Sequence, residues 1–266
     1  MIKEYKLWEK DMPLYEADKP CENKLTAYLH EDDAVRPAVV VYPGGAYSCH
    51  GELEQHSIAR FYYENGYQAF IAYYRVFPYH HPDPLMDAQR AVKLVRYHAV
   101  EWGGDPERVF TLGFSAGGHL TSCVATLPDV CTVLGDAVET MNPRPTGAML
   151  AYPVISVDRD KIHEDSFRNL LGERFASELA AFSTETRVGE DTCPCFLWHT
   201  TFDSGVPMEN SLVFASALHR RGIYCELHVF PDGDHGRALA EDDPTGTGQW
   251  APLSLHWMER VARQSH

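Results

Sequence analysis

A chain of 266 residues carries 23 Lys and Arg against 38 Asp and Glu, a formal net charge of −15 at pH 7. Such a field repels phosphate backbones and excludes nucleic acid from the expected partners. Hydrophobic residues at 44% and charged residues at 23% are ordinary globular usage. They exclude disorder as the main state, and this length buries a sizeable core without staples. Lys3, Glu4, Lys6 and Glu9 stand where a secretory signal needs an apolar stretch. Apolar runs such as 38–42 and 69–74 are far too short to span a membrane. Seven cysteines make an odd count, and Cys193-Pro-Cys195 has the spacing of neither a redox pair nor a zinc half-site. A cytoplasmic protein with reduced thiols and no membrane attachment is expected.

Taken in chain order, apolar β-rich runs at 24–30 and 38–42 precede a helical pattern near 53–65. A strand at 68–74 follows, then a helix from Pro84 to about Glu101, whose Leu85, Ala88, Val92, Val95 and Ala99 form one apolar face. Strand 108–113 leads into helix 116–126, and strand 147–151 comes next. Strand 195–200, helix 208–221, strand 224–230 and helix 250–262 complete the series. Unbroken apolar strands alternating with helices predict a mostly parallel sheet covered on both faces, in a single α/β domain over 1–266. A polar excursion at about 158–190 interrupts the alternation. It reads as a lid, a wall facing substrate, a homo-oligomer contact or surface decoration.

Residues 109–119 read Val-Phe-Thr-Leu-Gly-Phe-Ser-Ala-Gly-Gly-His. G-x-S-x-G between an apolar strand and a helical pattern is the context a nucleophilic serine needs. The serine stands on a sharp, strained turn, Gly113 and Gly117 remove side chains that would collide, and the helix aims its N–H groups at the reacting centre. A serine needs a base, and the base an orienting acid. In α/β-hydrolases the chain order is Ser, acid, His, each after a strand. Asp203 ends the run Phe196-Leu-Trp-His-Thr-Thr-Phe-Asp, and His235 follows the last strand in Pro231-Asp-Gly-Asp-His-Gly, where Gly233 and Gly236 let the loop turn back. Asp232 and Asp234 are rival acids, but neighbours in sequence can rarely orient the same imidazole. His199 and His228 lie inside strands and read as satisfied structural histidines. Upstream, Tyr42-Pro-Gly-Gly-Ala-Tyr47 closes a strand with a small-residue turn. The N–H groups of Gly45 or Ala46, with that of Ala116, are the expected oxyanion donors.

These stretches, together with Tyr74-Arg-Val76, Asp87-Ala-Gln-Arg-Ala91, Trp102–Val109 and Asp203-Ser-Gly-Val-Pro207, resemble the bacterial carbohydrate-esterase branch of the α/β-hydrolases, of the acetyl xylan or feruloyl esterase type. The resemblance covers most of the chain from about Ala38 onward. Ala46 departs from it, since many relatives carry Gly there. It implies a triad of Ser115, Asp203 and His235 and removal of small acyl groups, above all acetyl, from sugars or xylo-oligosaccharides through an acyl-enzyme. No cofactor is expected. The His/Asp-rich loop 232–235 could be read as a metal site, yet no second cluster with ligand spacing supports it. Tyr47, His119 and Phe202 are candidate substrate-binding residues, and Tyr73, Tyr74, Tyr79 and Trp198 are further aromatics that could seat a sugar ring. Two other functions share these motifs: a prolyl-oligopeptidase-like peptidase, and a hydrolase fold kept as a non-catalytic binding protein.

Overall fold

Strands that are apolar on both faces need helices on both faces, and the chain satisfies this with one sheet. The computed structural model describes residues 1–9, 12–130, 136–241 and 243–264. Its strands are β1 (Ile2–Lys6), β2 (Lys24–Tyr28), β3 (Arg36–Tyr42), β4 (Gln68–Tyr73), β5 (Gly104–Phe114), β6 (Gly147–Ala151), β7 (Cys195–Thr200) and β8 (Cys225–Phe230). The helices are α1 (His56–Glu64), α2 (Asp83–Tyr97), α3 (Ala116–Thr126), α4 (Glu164–Leu171), α5 (Phe175–Glu178), α6 (Glu209–Arg220) and α7 (Trp250–Gln264). The eight strands lie in the order β1-β2-β4-β3-β5-β6-β7-β8. β1 and β2 are antiparallel to their neighbours, and every pairing from β4 across to β8 is parallel. This is the α/β-hydrolase fold.

Alternate residues of each central strand enter different cores. Val39, Val41, Leu112, Met149 and Trp198 pack with Ile58 and Tyr62 of α1 and with Trp250 and Trp257 of α7. Val40 and Tyr42 face Leu85 and Val92 of α2 and Leu120 of α3. Farther along the sheet, Leu150 and Leu197 meet Phe214 and Leu218 of α6. Among the described residues no helix is long and apolar enough to cross a membrane.

The structure departs from the sequence reading most at one strand and one helix end. The sequence reading holds no β1, because this edge strand carries Lys3, Glu4 and Lys6 and is almost wholly exposed. α2 ends at Tyr97 rather than near Glu101; the chain goes on in turns closed by Trp102 N–H to the His98 carbonyl at 2.9 Å and Gly104 N–H to the Ala99 carbonyl at 2.6 Å.

A buried ionic cluster fixes the end of β4 to α2. Asp87 accepts from Arg75 Nε at 2.8 Å, Arg75 Nη2 at 2.9 Å and Trp8 Nε1 at 2.7 Å, while Arg75 Nη1 also reaches Asp83 at 2.9 Å. Burial pushes the Asp83 carboxyl up to about 6, against the pull of Arg75. Next in the chain, the Tyr74 hydroxyl donates to the Pro43 carbonyl at 2.6 Å, so the cluster also steadies the turn after β3. Removing Asp87 leaves the buried Arg75 with Asp83 as its remaining counter-charge and two of its N–H groups unpaired. Asp87→Ala should therefore lower unfolding free energy by about 3–5 kcal/mol, read from urea denaturation. A loss under about 1 kcal/mol would mean that solvent reaches Arg75 freely.

Candidate active site

β5 runs straight into Ser115, and α3 begins at the next residue. Ser115 has φ 52° and ψ −117°, a strained backbone that neighbouring bonds hold in place. Its N–H donates to the Ala151 carbonyl at 3.0 Å, and its own carbonyl accepts from His119 and Val154 N–H groups, both at 3.1 Å. The flanking glycines are sterically required. A Cβ on Gly113 would lie 2.0 Å from the Gly117 carbonyl oxygen, and one on Gly117 would lie 2.1 Å from that of Tyr42.

The loops after β7 and β8 bring Asp203 and His235 to this serine. Ser115 Oγ and His235 Nε2 are 2.7 Å apart, and His235 Nδ1 stands 2.8 Å from Asp203 Oδ2. A carboxylate can only accept, so Nδ1 carries the proton and Nε2 is free to accept from the serine hydroxyl. The Asp203 side chain is 1% exposed and its oxygens are saturated with donors. Oδ1 takes the Gly205 and Val206 N–H groups at 2.9 and 2.8 Å, and His199 Nε2 lies 3.3 Å from Oδ2. Burial alone would raise its pKa; the hydrogen bonds from His199 and His235 outweigh that and hold it well below the usual carboxylate range.

Asp234, a rival acid in the sequence, sits elsewhere. Its Oδ1 accepts from the Ser204 hydroxyl at 2.7 Å, the Ser204 N–H at 3.0 Å and the His235 N–H at 2.8 Å. It stitches the histidine loop to the acid loop instead of touching the imidazole ring. Asp232 is exposed. His199 proves more than a satisfied core histidine. Its Nε2–H donates to the Val206 carbonyl at 2.9 Å and its Nδ1 accepts from Ser211 Oγ at 2.9 Å, which fixes the ring against Asp203.

The turn after β3 is strained as well, with Gly45 at φ 121° and Ala46 at φ 54°. Alanine tolerates this left-handed region at a cost of about 1–2 kcal/mol. The turn's carbonyls are occupied: Gly44 by Gly51 N–H at 2.8 Å, Gly45 by Ser48 N–H at 2.9 Å, and Ala46 by Asn169 Nδ2 at 2.9 Å. Gly44 N–H donates to Glu54 at 2.7 Å. The Gly45 and Ala46 N–H groups find no acceptor among the described residues, and neither does that of Ala116 at the start of α3, where a helix leaves N–H groups open.

A cavity of about 470 Å³, within the range of small-ligand sites, opens over Ser115 and His235. Gly45, Ala46, Leu53, Glu54 and His163 stand in its wall. The expected substrate contacts need correction. Tyr47 and His119 are buried and bonded to each other, hydroxyl to Nδ1 at 2.8 Å, while His119 Nε2–H donates to the Phe182 carbonyl at 2.9 Å. They brace the serine helix and do not line the cavity. Phe202 is 73% exposed and lies outside the cavity wall. Trp198 and Tyr79 are core residues, and Tyr73 and Tyr74 line a neighbouring hollow instead.

Glu54, His163 and Asn169 escaped the sequence reading. Glu54 falls at the start of the helical pattern near 53–65, where no local signal marks it, and the other two lie in the polar excursion. Among the described residues no group of three or more His, Cys, Asp or Glu side chains is arranged to hold a metal.

Comparison with known proteins places this arrangement. The BD-FAE family model matches residues 25–218. The chain belongs to the BD-FAE family. It is 37% identical to endo-1,4-beta-xylanase B of Butyrivibrio fibrisolvens over 89% of this chain and 38% of that protein. It is 30% identical to an acetylxylan esterase of Xylanibacter ruminicola over 80% of this chain and 43% of that one. The chain thus spans less than half the length of these two curated relatives. Among solved structures, the acetyl ester-xyloside bifunctional hydrolase from Caldicellulosiruptor lactoaceticus superposes with a TM-score of 0.92 at 40% identity, covering 98% of this BD-FAE chain and 96% of that one.

The two loop aspartates separate by substitution. Asp203→Asn should reduce kcat about 10⁴-fold, because the imidazole loses both its orientation and its counter-charge. Asp234→Asn weakens a contact between loops and should cost about tenfold or less. The reverse ranking in steady-state ester hydrolysis would move the acid into the histidine loop.

Proposed function

We propose that the protein is a serine carboxylic-ester hydrolase that removes acetyl groups from xylose-based oligosaccharides through an acyl-enzyme. The observation that carries this reading is the chain Ser115 Oγ, His235 Nε2, His235 Nδ1, Asp203 Oδ2, with steps of 2.7 and 2.8 Å, under a small open cavity.

The chemistry follows from those contacts. Ser115 Oγ attacks the acetyl carbonyl carbon while its proton passes to His235 Nε2. Asp203 keeps the other ring proton and stabilises the imidazolium. Charge builds on the carbonyl oxygen, and the N–H groups of Gly45 or Ala46 with that of Ala116 receive it. His235 returns its proton to the departing sugar oxygen, leaving acetyl on Ser115. Water then repeats the sequence: it loses a proton to His235, attacks the acetyl-serine, and acetate leaves as the proton returns to Ser115 Oγ.

An acetylxylan esterase and an acetyl ester-xyloside hydrolase among the relatives support acetylated sugars as the substrate. The cavity's lining supports a short acyl group, with His163 of the excursion and Leu53 among its residues. Cys21, Cys49, Cys123, Cys193, Cys195 and Cys225 are free thiols, and Cys131 lies outside the described residues.

Ser115→Ala should reduce kcat about 10⁴-fold or more while the protein stays folded. On wild type, kcat/KM across C2, C4, C8 and C12 p-nitrophenyl esters should peak at the short end. Each added methylene gains at most ~0.8 kcal/mol, and overfilling the wall costs more. EDTA should leave the rate unchanged. A peak at C8 or beyond would contradict the short acyl pocket, and activity surviving in Ser115→Ala would contradict the mechanism.

A further inference from the structure

A carboxylate taken out of water needs either a cation or a set of hydrogen-bond donors. Glu54 is 6% exposed, and among the described residues no Lys or Arg pairs with it. It is held instead by donors. Gly44 N–H reaches Oε2 at 2.7 Å and the Tyr152 hydroxyl reaches Oε1 at 2.7 Å. That hydroxyl accepts in turn from Ala238 N–H at 3.0 Å. Burial raises the Glu54 pKa, and the bonds from Tyr152 and Gly44 pull it back down; with Glu54 ionised, every hydrogen in this relay has an acceptor. Protonation would add a donor where both neighbours already donate.

The relay joins the three segments that make up the candidate site. Gly44 belongs to the turn after β3, Tyr152 follows β6, and Ala238 follows His235 in the loop after β8. All three close on the serine. A Cβ on Gly44 would lie 2.8 Å from Glu54 Oε2 and 2.9 Å from Ser115 Cβ. The Tyr152 ring packs edge-on to the His235 imidazole, with centroids 5.0 Å apart. Glu54, Ser115 and His235 share one cavity wall.

We propose that Glu54, as a carboxylate, is a positioning residue for acyl transfer: it turns Gly44 N–H away from the oxyanion, leaves that role to Gly45 and Ala46, and favours the charged form of His235. The proposal rests on the reading of Ser115 and His235 given above. Other groups also face His235: Asp203 at Nδ1, Ser115 at Nε2, Asp234 at its backbone N–H, and His163 across the cavity. Asp203 stays ionised throughout the working range. Burial, reinforced by the charge of His235, lowers the pKa of His163.

The test compares E54Q and E54D with wild type in the full chain, using p-nitrophenyl acetate, with melting curves to show that each variant is folded. E54Q should lower kcat about tenfold to a hundredfold with KM within about threefold, because the turn loses its anchor. It should also move the acid limb of kcat/KM downward by about half a pH unit or more, because a negative charge in the wall shared with the imidazole is gone. E54D keeps the charge on a shorter arm, so its kcat should fall with the midpoint in place. Wild-type kcat and an unmoved midpoint in E54Q would overturn the proposal. So would activity in E54Q lost only in proportion to folded protein. If E54Q does not fold, E54D decides: reduced kcat at an unmoved midpoint supports the role, and unchanged kcat overturns it. Ser115→Ala, assayed alongside, separates the two levels. Its retained activity would remove the serine reading itself, whatever Glu54 does.

Discussion

Ser115 is held at φ 52° and ψ −117°, a conformation that costs about 1–3 kcal/mol and persists only where surrounding bonds over-determine it. Three backbone hydrogen bonds to β6, α3 and the segment after β6 supply that constraint. Two glycines without room for a Cβ let the chain turn so sharply. The consequence is functional. The same turn that lifts the serine hydroxyl out of the sheet also starts a helix at Ala116, so the proposed nucleophile and an open N–H donor arise from one piece of backbone geometry.

The partners reach the serine because β3, β5, β7 and β8 are parallel and end at the same edge of the sheet. Loops after β3, β7 and β8 therefore converge there, and each is tied down separately. Asp203 is saturated by four donors, Asp234 links the acid loop to the histidine loop, and Asn169 of the excursion holds the Ala46 carbonyl. These contacts hold the loops in place, and for the acyl transfer proposed above such preorganised donors would be the larger part of catalysis. The excursion accordingly does structural work. Phe167, Leu170, Leu171 and Phe182 join the core beneath α3.

What could be read from the sequence follows the same physics. Buried parallel strands announce themselves as apolar runs, so 147–151 and 195–200 matched β6 and β7 residue for residue. The serine, histidine and Asp203 were legible because each sits at a fixed place relative to a strand end. β1 was hidden by its exposure: an edge strand with charges carries no apolar pattern. Tyr47 and His119 were misjudged because a polar aromatic beside the nucleophile can face a cavity or a core, and only packing decides. Glu54 was invisible for the converse reason. Its donors come from residues 44 and 152, and nothing local in a Gly-Glu-Leu-Glu stretch distinguishes a buried carboxylate from a solvated one.

The central claim is that Ser115 is acylated during turnover, and covalent trapping tests it most directly. The protein would be treated with a serine-directed organophosphate, digested and mapped by mass spectrometry while residual ester hydrolysis is followed. The account predicts one adduct per chain, on Ser115, appearing in step with the loss of activity. Full labelling with activity intact, or inactivation with the adduct on another residue, would contradict it.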